Sequence, residues 1–163
     1  MTIERTPMEW MILPIRKYAQ FGGRAPRAEY WWFALATTVI GFVADIIDRT
    51  SGSEIGILGT VTSLGLLIPT LAVTMRRLHD ADRSGWWLWT AILPAIVFGF
   101  EGSQAALAGT VDTWKPSQAT IISVLTFAIG CLVIFVFTVL RGTEGGNRFG
   151  PDPYADGVSP LTA

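Results

Sequence analysis

The sequence predicts an all-α integral membrane protein: four transmembrane helices in two hairpins, preceded by an N-terminal amphipathic helix at the membrane interface. Three observations carry that expectation. The 163 residues are half apolar and only 15% charged, against about 25% in an ordinary soluble domain. Four long apolar stretches follow one another, and a hydrocarbon core about 30 Å thick needs roughly 20 helical residues per crossing. Of the 12 lysines and arginines, only Arg49 and Lys115 fall in the loops opposite the termini.

Residues 1–29 form a cytoplasmic, interfacial segment. Within it, "PMEWMILPIRKYAQF" combines Met8, Trp10, Met11, Ile12, Leu13 and Ile15 with Arg16 and Lys17, and Pro14 interrupts it. That mixture suits a helix lying on the membrane surface. Several charges and the lack of a small-residue cleavage site argue against a cleavable signal peptide.

Residues 30–140 form the transmembrane domain, with spans over 30–47, 55–75, 86–105 and 119–140. The first, "YWWFALATTVIGFVADII", fits with Asp45 near its outer boundary. The second and fourth fit directly and carry no charge. The third opens as "WWLWTAILPAIVFGF" and is long enough only if its helix continues past Gly102. These runs are apolar on all sides rather than alternating, so they read as helices and not barrel strands. Pro69 and Pro94 each remove a backbone donor and are expected to kink spans two and three within a compact bundle. Residues 141–163 form a cytoplasmic tail.

An even number of spans puts both termini on one side, and the arginine asymmetry makes that side cytoplasmic, together with the middle loop 76–87. Trp31, Trp32, Trp86, Trp87 and Trp89 all open a span at this edge, where amphipathic rings favour the headgroup level. Trp114 falls in the outer loop. "RAEYWW" and "RSGWW" echo one another, as in a parallel internal repeat or in two hairpins that share anchor chemistry.

Three polar patches converge on the inner face: 21–32, 76–87 and 141–153. They offer Arg24, Arg27, Glu29, Arg76, Arg77, His79, Asp80, Asp82, Arg83, Ser84, Asn147 and Arg148. A formal charge of −1 argues against a nucleic-acid binder. The lone Cys131 reads as a packing residue. His79 beside Asp80 invites a metal-phosphohydrolase reading, but one histidine is too few ligands, so no metal or cofactor is expected. Ser84 and His79 lack an evident oxyanion hole, and Ser84 suits a helix cap better. "GTEGGNRFG" matches no nucleotide-binding loop and reads as a turn-rich tail.

The patches resemble the bacterial inner-membrane family called domain of unknown function 805. Gly23, Arg24, Arg27, Glu29, Tyr30 and Trp31 match its opening motif. Arg76 to Asp80 with Arg83 to Trp86 match the middle one, and Gly145, Asn147 to Gly150, Asp152 and Pro153 the closing one. The resemblance implies a small four-span protein of the bacterial inner membrane, and no activity.

Two readings of the cluster stand. In one, Glu29, Asp80 and Asp82 pair with Arg24, Arg27, Arg76, Arg77 and Arg83 and lock hairpin to hairpin. In the other, the arginines in excess of carboxylates bind an anionic lipid headgroup. The expected function is therefore non-enzymatic: a polar cluster that organises the bundle and engages anionic lipid or a protein partner, a second copy included. The alternatives are a membrane enzyme acting on lipid headgroups at the same cluster and a small-solute transporter. Stretches 55–75, 86–100 and 119–140 hold no charge, which disfavours transport.

Overall fold

A computed structural model describes residues 5–52, 56–109 and 115–154. Among them the chain is all-helical: α1 (Pro7–Arg16), α2 (Arg27–Thr50), α3 (Ile57–Asp80), a 3₁₀ turn (Gly85–Leu88), α4 (Trp89–Leu107) and α5 (Gln118–Val139). Three of these, α2, α3 and α5, are long and apolar enough to cross a membrane. The 19 residues of α4 carry a single charge, Glu101, in the second half of the helix. Trp114, expected in the outer loop, lies outside the described residues.

Helix α1 starts at a capping box. The Thr6 hydroxyl accepts from the Glu9 amide, and the Glu9 carboxylate accepts from the Thr6 amide. Pro14 sits inside the helix rather than interrupting it, and the helix ends at Arg16, short of the expected reach to Phe21. Trp10 and Pro14 are buried, whereas Met8, Ile12 and Ile15 face outward.

Helix α3 departs furthest from expectation. The middle motif is not a loop: α3 runs through Arg76 and Arg77 to Asp80, and residues 76–80 are all buried. Arginine and leucine are good helix formers, and nothing before Ala81 stops the helix. The reversal comes at Asp82, in the left-handed region with φ 54°. Gly85 has a different role, since a Cβ there would meet the Met75 side chain at 2.7 Å. Ser84 caps the 3₁₀ turn, accepting from the Trp86 amide.

The two hairpins are built alike at the ends away from this reversal. Asp48, buried in α2, accepts from the Leu58 and Gly59 amides that open α3 (3.1 and 2.7 Å). Glu101 of α4 accepts from the hydroxyls of Ser117 and Thr120 that open α5. Asp48 thus satisfies two orphan amides of α3, whereas Glu101 holds the hydroxyl of Ser117, which itself caps the Thr120 amide; each carboxylate complements a helix dipole. Neither residue was expected to matter.

The bundle is not closed. α4 packs on α5 and the 3₁₀ turn, and its Cα atoms stay more than 8 Å from those of α2 and α3. The named contacts between hairpins gather where α5 ends: Trp31 on Phe135, and Arg77 on the Thr138 carbonyl. Apolar faces gain little hydrophobic drive from associating away from water, so the polar contacts at this end tie the hairpins together.

Candidate functional site

The C-terminal end of α3 is the centre of the site. A helix terminus leaves its last four carbonyls without partners, and here all four are met. The Arg77 carbonyl accepts from Ala81, the Leu78 carbonyl from Arg83, and the His79 carbonyl from Asp82 and the Asn147 side chain. The Asp80 carbonyl accepts from the Thr143 amide. Two straps supply the rest of the enclosure. Residues 17–26 run along one side and residues 141–154 along the other.

Asp80 is fully buried and holds two guanidinium groups. Its Oδ1 accepts from Arg24 (Nε at 3.0 Å, Nη2 at 2.9 Å), and its Oδ2 accepts from Arg77. Arg24 also donates to the Thr143 and Gly145 carbonyls, both at 2.6 Å. Arg77 reaches the Thr138 carbonyl at 3.1 Å and the Leu140 carbonyl. One carboxylate thus ties the N-terminal strap, α3, the end of α5 and the tail together. Gly142 is required beside it, because a Cβ would overlap the carboxylate.

Glu29, the second buried carboxylate, pairs with Arg76 at 2.6 Å and with Lys17 at 3.7 Å. Arg76 also donates to the Gln20 carbonyl at 2.5 Å, and its Nε is buried without a partner. Three buried arginines face two buried carboxylates, and backbone carbonyls absorb the remaining positive charge through charge-assisted hydrogen bonds.

His79 joins the straps. Its Nδ1 lies 3.2 Å from the Gly23 carbonyl, and its ring stacks on Phe149 at 3.9 Å and 3°. Only an N–H suits a carbonyl, so Nδ1 carries the proton and Nε2 a lone pair. Ser84 makes its cap bond and no hydrogen bond to His79. Among the described residues no three His, Cys, Asp or Glu side chains converge on a metal position.

The outer members differ. Arg148 pairs with Asp82 at 3.2 Å, both half-exposed, and its guanidinium lies over the Phe149 ring. The expected carboxylate partners of Arg27 and Arg83 are absent among the described residues. Arg27 is exposed and donates to the Leu140 carbonyl at 3.1 Å, and Arg83 is exposed with its guanidinium over the Phe137 ring. In the tail, the Asp152 carboxylate accepts from the Gly145 and Tyr154 amides, both at 2.9 Å, which holds it below the usual carboxylate range. Tyr154 receives the Arg27 amide on its hydroxyl, and burial pushes that hydroxyl up. Lys17, Thr138, Thr143, Phe149 and Tyr154 were missed as site members. Of these, Phe149 alone stood inside a recognised motif.

Residues 18–151 match the family model described as protein of unknown function (DUF805). The chain is 34% identical over 151 residues to the inner membrane protein YhaH of Escherichia coli K12, covering 90% of this chain and 97% of the relative. It is 32% identical to the inner membrane protein YhaI of the same strain, covering 90% and 96%. It is also 28% identical to the uncharacterized protein YiiR, covering 81% and 84%. No solved structure matches.

Proposed function

The chain belongs to the DUF805 family, and from that membership we propose a non-enzymatic, multi-pass component of the bacterial inner membrane. In this reading α4 and its 3₁₀ turn form a fourth span, giving two hairpins with both termini cytoplasmic. The third span's Trp86, Trp87 and Trp89 then sit at the inner headgroup level, beside ten of the 12 basic residues. Helix α1 packs on α2 and α3, and its Met8, Ile12 and Ile15 face outward toward the acyl chains. A C-terminal reporter active only outside the cytoplasm overturns this topology.

The polar cluster is the mortar of the assembly. One observation carries that reading: Arg24, Arg76 and Arg77 are buried, and their donors meet two carboxylates and the backbone of the straps and α5. Breaking such a pair leaves a buried uncompensated charge, at about 3–5 kcal/mol. Arg27 and Arg83 have another role: exposed and without a carboxylate among the described residues, they engage the anionic phosphate of an inner-leaflet phospholipid headgroup. Arg77→Ala should lower the melting temperature in detergent. Arg27→Ala and Arg83→Ala should keep it and lose co-purifying phospholipid. If the latter two retain lipid at the wild-type level, the lipid half of the reading fails.

A further inference from the structure

Beside the α3 end lie two adjoining cavities of about 280 Å³ each, which share Ser84 and Trp86. One is lined by Met75, His79 and Trp89, the other by Trp87 and Thr90. Their chemistry is selective. His79 lines the first cavity and has its Nδ1–H committed to Gly23, so its other ring nitrogen carries a lone pair rather than a proton. Trp86 and Trp89 lie 6.4 Å apart and tilted by 34°, the first 75% and the second 44% exposed. An acceptor nitrogen beside indole faces suits a cation with N–H groups, since the ring quadrupole attracts positive charge. Arg83 stands next to this groove, for its guanidinium and the Trp87 ring both contact Phe137.

We infer that this groove binds a phospholipid whose headgroup carries a primary ammonium, with the ammonium between Trp86, Trp89 and the His79 lone pair and the phosphate on Arg83. The inference rests on the proposed phosphate contact at Arg83 and adds the headgroup class. A cation acceptor in the groove and the guanidinium of Arg83 beside it address the two ends of a zwitterion. A lipid rather than a soluble amine is the occupant, because the groove opens among outward-facing tryptophans at the start of an apolar helix.

Native mass spectrometry of the full chain in detergent tests it, with an equimolar mixture of phosphatidylethanolamine, phosphatidylcholine and phosphatidylglycerol. Phosphatidylethanolamine adducts should dominate, because trimethylation removes the N–H donors and phosphatidylglycerol has no cation. Trp86→Ala with Trp89→Ala should cut those adducts about fivefold and leave phosphatidylglycerol unchanged. Both side chains face outward, so the variant keeps the fold, which an unchanged melting temperature verifies. Equal retention of phosphatidylcholine, or phosphatidylethanolamine binding unaffected by the tryptophan variant, overturns the inference. Phosphatidylglycerol dominance with loss in Arg83→Ala overturns it too and leaves the arginine–phosphate reading intact. Loss of no lipid in Arg83→Ala removes both.

Discussion

The Tyr18 hydroxyl donates to the Gly65 carbonyl at 2.6 Å. Gly65 is the carbonyl that Pro69, four residues later, leaves without its helical donor. The N-terminal segment thus repairs the backbone of α3 about 22 Å before Asp80 along the helix, at 1.5 Å per residue. A freed carbonyl within an apolar span has no water to turn to. Tyr18→Phe should therefore cost about 1–2 kcal/mol, read as a lower melting temperature in detergent. Pro69→Ala returns an N–H to the helix, so Tyr18→Phe in that background should cost almost nothing. An undiminished Tyr18→Phe effect in the Pro69→Ala protein would sink the explanation.

Gly142 faces the Asp80 carboxylate, which Arg24 and Arg77 hold from two sides. A pinned acceptor cannot step aside for a methyl group. Gly142→Ala should destabilise by about 2–3 kcal/mol. Gly22→Ala, where an added Cβ meets nothing, should change stability by no more than about 0.5 kcal/mol. Equal melting temperatures for the two variants would mean that Asp80 is not fixed as described.

Asp80 and Asp82 separate buried from surface charge. The Arg148–Asp82 pair has side chains 62% and 47% exposed, so Asp82→Asn should cost less than about 1 kcal/mol. Asp80→Asn breaks a buried network and should cost about 3–5 kcal/mol. Urea titration of both variants in mild detergent measures the contrast.

What could be read from residues alone followed from rules of long reach. Apolar runs too long for a soluble core announced the helices, and arginines flanking them announced one polar face. The pairing partners were a different matter. Arg77 bonds the Thr138 and Leu140 carbonyls, and backbone acceptors carry no residue signature. The motif 76–87 was taken for a loop because its charges ended an apolar run, yet Arg76, Arg77 and Asp80 are helical and buried because the straps cover them. Asp48 stood just past the expected end of its span at Ile47, where it passed for a loop charge. Its role appears only when α3 turns back against it. Pro69 does name its orphan, Gly65, by the spacing of four, but nothing in the sequence names Tyr18 as the donor.

The hairpin tips rest on carboxylate caps. Asp48→Ala removes the acceptor for two amides at the start of α3 and should cost about 1 kcal/mol. Hydrogen exchange should accelerate at Leu58 and Gly59 while the amides of the last turns of α3 stay protected. Glu101→Gln keeps an oxygen for Ser117 and Thr120 and should be milder than Glu101→Ala. If both Glu101 variants match wild type, the cap on α5 is idle.

Acid should loosen the tail where Asp152 holds it. Asp152 accepts two backbone amides, and its folded pKa is depressed by those bonds. A depressed carboxylate contributes stability that is present above its unfolded value and lost as pH falls through its folded value. The contribution therefore fades on the acid side of the ordinary carboxylate range and does not change near neutrality. Exchange at the Gly145 and Tyr154 amides, corrected for intrinsic rates, should rise as pH drops through that window. In Asp152→Asn the same amides should exchange with no such pH dependence. If that variant keeps the acid-side rise, another group governs the tail.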